Sequence, residues 1–358
     1  MRTTDEAPVQ AMAADATPPP PPRRPRTVLA MQSSVVDDVF PPSVRARLEE
    51  IADIQPPHVI REFGSHSARS ALAECEVLLT GWGCPAIDTA VLDRAPRLRA
   101  VIHSAGTVKT FLSREAYTRG ISVSSAAAAN AVPVAEFTLA AIILGAKRAF
   151  PLAHLFRTRR THRTAADLDR HQWLGTHGIT VGVVGASRIG RRVLHLLRSL
   201  DAEVLLYDPY VSDAEAELLG ATRTDLDTLV ATSDVVTLHA PDTAETRHLL
   251  DARRIALMRP GALLVNTARG PLVDTVALTE HLVGGRIDAV LDVTQPEPLP
   301  ADHPLWDLPN VFITPHMAGA QGNEVGRLGA LAVDELDRYA RGVPLNHPVL
   351  LKDLERIA

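Results

Sequence analysis

The stretch TVGVVGASRIGRR, residues 180–192, decides the fold of this chain. A valine-rich run meets Gly185, and Gly190 follows where a run with helical periodicity begins. The pattern predicts a buried strand, a tight glycine turn and a helix start, which together direct backbone N–H groups and the positive end of a helix dipole at an anion. The next predicted strand, residues 203–207, is followed by Asp208, about 20 residues after the first glycine, where an acid can hold the ribose hydroxyls of a dinucleotide.

The middle glycine of the usual G-x-G-x-x-G pattern is replaced by Ser187. That glycine lets the backbone approach a pyrophosphate closely, whereas a serine adds a Cβ and a hydroxyl that can bond a phosphate oxygen. We interpret Ser187 as a tolerated variant. The alternative is a structural turn that has lost its nucleotide.

The composition of the chain is that of a globular protein, and its 358 residues suffice for about two domains. A net charge of −5 gives no reason to expect a nucleic acid or an anionic membrane as partner. The two cysteines, Cys75 and Cys84, cannot form a disulfide framework and lack metal-ligand spacing with histidine, so we expect no metal site and a reducing cytoplasm. The longest apolar stretch, residues 131–146, contains Pro133 and Glu136 and falls short of the roughly 20 residues of a bilayer span. The N-terminus has no apolar region typical of a signal peptide.

The first 26 residues are predicted to form a tail without a core. They include five consecutive prolines, residues 18–22, followed by Arg23, Arg24 and Arg26, a composition typical of disordered or polyproline segments. A dispensable extension is the favoured interpretation, and a proline-rich ligand for another protein is the alternative.

Strands and helices alternate from residue 27 onward, which predicts parallel sheets covered by helices. In a first unit, helices are predicted at residues 41–54 and 85–94, and strands at 28–31, 77–80, 98–103 and 121–124. A second unit has six predicted strands, which make a doubly wound dinucleotide fold. These strands lie at residues 180–184, 203–207, 235–239, 262–266, 289–292 and 311–314.

Two long helices are predicted to connect the two units. The helix at residues 131–148 is apolar on most faces, so we expect both units to bury it. The helix at residues 324–341 has an apolar stripe and should return to the first unit. A polar, arginine-containing tract that ends at Trp173 follows the first of these helices; we interpret it as a protruding arm or interface segment, with a solvated connection as the alternative.

Three side chains with complementary chemistry follow three strands of the second unit: Arg269, Glu297 and His316. Ligands bind at the carboxyl ends of strands in open α/β sheets, so we expect the three to meet at the cofactor. Arginine can bond a substrate carboxylate and polarise the adjacent carbonyl, while histidine can protonate the carbonyl oxygen as hydride arrives from a nicotinamide. Glutamate on the other imidazole nitrogen would hold the ring and favour its protonated form. Each residue alone has an ordinary structural interpretation; together they predict reduction of a 2-oxo acid.

In these motifs the chain resembles the D-isomer-specific 2-hydroxyacid dehydrogenase family. The matching stretches, in chain order, are VGVVGASRIGRRV, LYDP, SDVVTLHAPDTAETRHLL, ALMRPGALLVNTARGPLVD, LDVTQPEPLP and ITPHMAGA. The resemblance covers nearly all of residues 98–342 and implies an α/β protein of two domains. A doubly wound Rossmann NAD-binding domain, residues 130–317, would be inserted in a smaller flavodoxin-like α/β substrate domain, residues 27–129 and 318–358. The arginine, glutamate and histidine above would be the catalytic residues.

The resemblance also implies which residues contact NAD and the substrate. The expected cofactor contacts are Gly185, Ser187, Arg188, Ile189, Gly190, Asp208, His239, Thr246, Thr267, Ala268 and Asp292. Asp292 would bond the nicotinamide amide or nearby groups. The expected substrate contacts, besides Arg269, lie in two glycine-containing loops whose backbone can come close to a carboxylate: Trp82, Gly83, Ala105 and Gly106.

Several positions bear on specificity. Asp208 favours NAD over NADP, because a carboxylate repels a 2′-phosphate. Trp82 either walls the substrate pocket and favours a larger side chain or is a core tryptophan. Lys109 stands where many relatives carry an acid, which favours an anionic substrate or has no consequence. Asn130 and Glu136 match positions at the domain junction, where we expect structural roles.

The resulting prediction is a cytoplasmic NAD-dependent D-2-hydroxyacid dehydrogenase with His316 as general acid and base and with Glu297 tuning it. Its substrate would be glyoxylate, hydroxypyruvate or a bulkier 2-oxo acid, and the resemblance implies a homodimer formed through the coenzyme domains. One alternative is an NAD-binding corepressor-like protein without significant turnover, and another is a phosphite dehydrogenase-like enzyme. The formate dehydrogenase branch is disfavoured because it carries glutamine where Glu297 stands.

Overall fold

Two parallel sheets form the frame of the protein, as the alternation of strands and helices predicts. The computed structural model describes residues 23–164, 167 and 175–354. Residues 1–22 of the predicted tail, and Trp173 at the end of the predicted arm, lie outside the described residues.

The first sheet has five strands: β1 (Arg26–Ala30), β2 (Asp53–Ile54), β3 (Val77–Thr80), β4 (Ala100–His103) and β5 (Ser122–Ser125). Their order is β2-β1-β3-β4-β5, all parallel, which is the flavodoxin-like order and confirms that part of the prediction. Its helices are α1 (Val36–Val39), α2 (Pro42–Ile51), α3 (His66–Glu74), α4 (Thr89–Arg94) and α5 (Glu115–Thr118). Every residue of β3 and β4 is buried, as expected for strands covered on both faces.

Three boundaries in this unit are corrected. The helix predicted at residues 85–94 begins only at Thr89, where Asp88 caps it. The helix predicted at residues 41–54 ends at Ile51, and residues 53 and 54 of the predicted range form the edge strand β2. The predicted tail reaches one residue too far, because β1 begins at Arg26. Arg24 donates a hydrogen bond to the carbonyl of Ala52 (2.8 Å), and Arg23 lies over the ring of Tyr339. The arginines assigned to the tail therefore dock its end on the first unit.

The second sheet has seven strands: β6 (Ile179–Val184), β7 (Ala202–Tyr207), β8 (Thr222–Arg223), β9 (Val235–Leu238), β10 (Leu263–Asn266), β11 (Asp288–Leu291) and β12 (Val311–Ile313). Their order is β12-β11-β10-β9-β6-β7-β8, so the sheet is wound in both directions from β6. This is the doubly wound dinucleotide-binding order with one further strand, which confirms the predicted Rossmann fold. The two-residue strand β8 was not predicted. The helices of this unit are α8 (Arg188–Leu197), α9 (Asp213–Leu218), α10 (Leu226–Thr232), α11 (Ala252–Leu257) and α12 (Thr275–Val283).

Helix α6 (Ala127–Ala146) begins four residues before its predicted start and packs against α8, β10 and β11. By length and composition alone it could cross a membrane, so the expectation that its apolar stretch is too short was wrong. Its buried residues are those expected of a core helix. Helix α13 (Val325–Ala340) contacts α1, α2, β4 and β5, so the chain returns to the first unit as predicted. The domain boundaries proposed at residues 129/130 and 317/318 remain a prediction.

The first part of the predicted arm is a helix whose start is fastened to the second sheet, while none of its residues is buried. Helix α7 (Ala149–Arg159) follows a corner at Arg148, whose backbone is left-handed (φ 52°). Arg148 pairs with the buried carboxylate of Asp288 on β11, and Phe150 stacks on Phe312 of β12 with ring centroids 4.1 Å apart. These contacts fasten the start of α7 to the edge of the second sheet.

Candidate active site

The glycine turn between β6 and α8 can be built only from glycine at its two ends. Gly185 has φ of 98°, and a Cβ there would lie 2.7 Å from the backbone nitrogen of Ala240. A Cβ on Gly190 would lie 2.0 Å from the carbonyl oxygen of Gly185, so the first turn of α8 rests directly on the strand end. The close approach leaves the N-terminus of α8 facing the space beyond the sheet, where an anion can bind.

Ser187 caps this helix. Its side-chain oxygen accepts a hydrogen bond from the backbone N–H of Gly190 (3.3 Å), and its φ of −62° requires no glycine. Serine is a favoured N-cap residue, so its presence at the middle position of the pattern has a structural reason. The hydroxyl hydrogen can still be donated to a phosphate. Arg188 and Ile189 form the first turn of α8, where Arg188 is exposed and Ile189 is half-buried.

Asp208 joins the end of β7 to the glycine turn. Its carboxylate accepts hydrogen bonds from the backbone N–H of Ala186 (2.7 Å) and from that of Tyr210 (2.8 Å). The carboxylate is thereby held beside the turn, where a ribose would lie in a dinucleotide fold.

A cavity of about 1100 Å³ opens at this turn, slightly larger than the usual range for ligand pockets. The glycine-turn residues, Asp208 and Thr246 line it from the second unit, and four residues line it from the first unit: Lys109, Leu112, Arg114 and Leu354. Its size, the space that a Cβ would fill and the capped helix N-terminus fit a dinucleotide. Within the described part of the chain, no group of three histidine, cysteine or acidic residues could hold a metal ion.

Other predicted cofactor contacts have side chains that the fold itself uses. His239 is 2% exposed, its Nε2 lies 2.9 Å from the hydroxyl of Thr237, and burial lowers its pKa to about 3, so the ring is neutral. The hydroxyl of Thr267 bonds that of Thr138 on α6 (2.8 Å). Ala268 is buried at the same strand end. Direct contact of these three with a cofactor stays a prediction.

The structure brings the predicted catalytic trio together. His316 Nδ1 lies 2.7 Å from Glu297 Oε1, which leaves Nε2 of the ring for another partner. Both side chains are about half exposed, so the pair is open to a substrate. Arg269 is largely buried, and desolvation lowers the pKa of its guanidinium, while the charges of Asp242 and Glu297 oppose that shift. A cation, a carboxylate and an imidazole therefore share one site at the carboxyl end of the second sheet.

Asp292 lies beneath this site and is 2% exposed. Its carboxylate accepts three hydrogen bonds: from the hydroxyl of Thr314 (2.6 Å), from the N–H of Met317 (2.8 Å) and from that of Ala318 (3.0 Å). The resemblance implied a contact with nicotinamide here, and the contacts present are all to the segment that carries His316.

The two predicted substrate loops lie side by side at the end of the first sheet. Ser104 donates from both its backbone N–H (2.7 Å) and its hydroxyl (2.8 Å) to the carbonyl of Thr80, which joins the loop containing Ala105 and Gly106 to the loop containing Trp82 and Gly83. Gly83 is left-handed (φ 74°), and a Cβ on Gly106 would meet nothing closer than 3.9 Å. The Trp82 side chain is 37% exposed, so it is not a core tryptophan.

Two charged residues complete the site. Lys109 was considered in the sequence analysis, whereas Asp242 was not predicted to belong to the site. Lys109 and Asp242 line the cavity from opposite units. Desolvation and then the charge of Arg269 lower the pKa of Lys109, while Asp242 raises it. The only signal for Asp242 was its place after a strand of the second sheet. Asn130, predicted at the domain junction, accepts a hydrogen bond from the N–H of Ala320 (2.9 Å) and thus ties α6 to the segment after His316.

Comparison with known proteins gives one consistent family. A family model described as "D-isomer specific 2-hydroxyacid dehydrogenase, NAD binding domain" matches residues 141–318. The chain is 34% identical over 270 residues to a D-3-phosphoglycerate dehydrogenase from Archaeoglobus fulgidus, which covers 75% of this chain and 50% of that protein. The chain thus spans about half the length of the D-3-phosphoglycerate dehydrogenases it matches.

Two further similar proteins are matched over more of their own length. A glyoxylate reductase from Thermofilum pendens is 37% identical over 266 residues, which covers 72% of this chain and 76% of that protein. A crystal structure of a Thermus thermophilus protein has a TM-score of 0.71 and 31% identity, and the match covers 91% of this chain and 100% of that chain.

Proposed function

Because the chain belongs to the D-isomer specific 2-hydroxyacid dehydrogenase family, we propose that it is an NAD-dependent oxidoreductase that interconverts a 2-oxo acid and a D-2-hydroxy acid. The observation that carries this proposal is the hydrogen bond of 2.7 Å between His316 and Glu297 at the strand ends that also place Arg269. Arranged beside a cavity that fits a dinucleotide, these three groups supply what the reduction of a carbonyl next to a carboxylate requires.

Each residue of the trio has one task in the proposed mechanism. Nicotinamide, when bound, supplies the hydride. Arg269 binds the substrate carboxylate and draws electron density from the adjacent carbonyl. His316 gives its Nε2 proton to the carbonyl oxygen in reduction and takes it back in oxidation. Glu297 accepts a hydrogen bond from Nδ1 and so fixes the orientation of the imidazole ring.

NAD rather than NADP is the proposed cofactor. The carboxylate of Asp208 is fixed beside the glycine turn by two backbone N–H groups. A 2′-phosphate placed there would be repelled by this carboxylate, whereas ribose hydroxyls can donate to it.

The proposed substrate is a small 2-oxo acid such as glyoxylate or hydroxypyruvate, or a bulkier one. The similarity to a glyoxylate reductase supports the small acids. The partly exposed Trp82 beside the substrate loops supports an apolar wall for a larger side chain.

We also propose a homodimer formed through the unit of the second sheet. Helix α7 forms the apolar side of a groove with Leu152, Leu155 and Phe156, of which Phe156 is 56% exposed. Such exposed apolar side chains on one helix are typical of a surface that another chain covers.

The proposed function is tested by a spectrophotometric screen of 2-oxo acids with NADH and NADPH in parallel. We expect turnover of at least one acid with NADH. His316→Ala should then lower reduction by roughly 10²- to 10⁴-fold, the usual contribution of a positioned acid. His195→Ala, an exposed histidine on α8, is the matched control and should leave the rate unchanged.

Two outcomes would count against the assignment. A change of less than tenfold in His316→Ala would remove this residue from the acid role. NADH binding without oxidation across the whole panel would favour an NAD-binding protein without turnover.

A further inference from the structure

We propose that Asp292 is a positioning residue: its carboxylate holds the left-handed turn that presents His316 to the substrate. The inference rests on the proposed function, because it assigns His316 the acid role. It differs from a cofactor contact, which is the role that the resemblance implied for Asp292, and the two roles can be separated by measurement.

The backbone of His316 is in a conformation that is uncommon for residues other than glycine. Its φ is 52°, in the left-handed region that favours glycine. Such a residue persists only where its surroundings determine it. The N–H of His316 donates to the carbonyl oxygens of Asp292 and Thr314, each at 3.0 Å. The turn is therefore attached to the end of β11 by its own backbone.

The side chain of Asp292 supplies the remaining attachment. One carboxylate oxygen accepts from the Thr314 hydroxyl (2.6 Å) and the Met317 N–H (2.8 Å), and the other accepts from the Ala318 N–H (3.0 Å). The donors lie on both sides of His316 along the chain. An ionised carboxylate makes stronger hydrogen bonds than a neutral acceptor, so one side chain clamps the segment from before the histidine to after it.

The clamp also orients the imidazole toward its partner. The His316–Glu297 hydrogen bond joins the turn to a loop that is otherwise held by other residues: Thr294 bonds Pro296, and Thr275 bonds Gln295. If the turn relaxed, the imidazole would move relative to Glu297 and to the substrate carbonyl. A displacement of about 1 Å in a catalytic group can cost about 10²-fold in rate.

The test compares three variants. Asp292→Asn keeps the size of the side chain but replaces one acceptor by an NH₂ group that faces a donor. Thr314→Val removes one donor and leaves the charge of Asp292 in place. Asp288→Asn is the matched control, because it neutralises a buried acid at the opposite end of β11, whose ion-pair partner Arg148 precedes helix α7 rather than belonging to the turn.

Four quantities are measured for each variant: the melting temperature, the Kd for NADH, the kcat of reduction at saturating NADH as a function of pH, and the ¹⁵N shifts of the His316 ring. We expect Asp292→Asn to lower kcat by about 10²-fold with less than a threefold change in Kd. Thr314→Val should change kcat and ring shifts in the same direction by a smaller amount, and Asp288→Asn should change neither.

Opposite results overturn the proposal. A tenfold rise in the Kd for NADH with kcat retained would make Asp292 a cofactor contact. Equal losses of kcat in Asp288→Asn and Asp292→Asn would mean a general effect on the sheet. The ¹⁵N shifts of the His316 ring are measured without substrate and therefore do not depend on turnover. Absence of turnover in the unmodified protein would refute the proposed function. Unchanged ring shifts in Asp292→Asn would refute the positioning role.

Discussion

At the scale of single residues, Ser187 shows how a departure from a sequence pattern can carry its own reason. The serine stands where the usual pattern has a glycine that lets the backbone approach a pyrophosphate closely. Its side-chain oxygen accepts a hydrogen bond from the N–H of Gly190. The exchange stabilises the helix start while the flanking glycines keep the close contact between turn and strand.

Two substitutions separate these effects. Ser187→Ala should lower the free energy of unfolding by about 1 kcal/mol, because it removes the cap, whereas Ser187→Gly should cost only a few tenths. Chemical denaturation measures both, and NADH titration is made in parallel. Equal stability of the two variants would contradict the capping role. NADH binding that improves in Ser187→Gly would show that the added Cβ hinders the pyrophosphate.

At the scale of elements, the corner between α6 and α7 is joined to β11 by the buried pair of Arg148 and Asp288. Burial raises the pKa of Asp288 to about 6, although the guanidinium of Arg148 acts in the opposite direction. The native state thus holds a proton on this carboxyl more tightly than the unfolded chain does. The ordinary pKa of an aspartate is about 4, so the free energy of unfolding should fall as pH rises from about 4 towards 6, where the buried carboxyl loses its proton.

Arg148→Met should be destabilising by about 3–5 kcal/mol at neutral pH, because it leaves an uncompensated buried charge. The loss should be smaller at pH 5, where the carboxyl of Asp288 is more often protonated. Adding Asp288→Asn to Arg148→Met should recover part of the loss, since the double variant buries no charge. Urea unfolding of the single and double variants at both pH values gives the comparison, and additive losses would contradict the pairing.

Elements with a strong apolar pattern could be predicted from the sequence, and short edge strands could not. The strands around β6 are continuous apolar runs bounded by polar residues, a sequence pattern typical of buried parallel strands. Strands β2 and β8 have two residues each at sheet edges, too short for any periodicity. The Glu297–His316 pair was predictable because strand ends of one sheet converge. Lys109 and Asp242 line one cavity from loops of two different units, and no spacing along the chain reports that proximity.

At the scale of the whole molecule, each unit contains a buried neutral histidine. His103 at the end of β4 bonds the hydroxyl of Thr80 (2.9 Å), and His239 follows β9. Burial lowers the pKa of each to about 3. The unfolded chain takes up protons at these rings below about pH 6.5, while the native protein does not, so both contribute a loss of stability as pH falls from about 6.5 towards 3.

The melting temperature should therefore fall on acidification from pH 7 to pH 4.5. His103→Asn and His239→Gln keep an amide near the bonded ring nitrogen and cannot be protonated, so each should flatten the decline even if it lowers stability at pH 7. Scanning calorimetry across this pH range tests both. Slopes identical to that of the unmodified protein would show that the acid sensitivity arises elsewhere.

The hydrogen bond between Asn130 and Ala320 has a consequence for how such a protein can change. It joins the helix by which the chain leaves the first sheet to the segment by which it comes back. Everything between the two can be regarded as a cassette with adjacent ends. A segment with adjacent ends can be replaced by that of a relative, or enlarged by an insertion, while the path of the remaining chain stays the same.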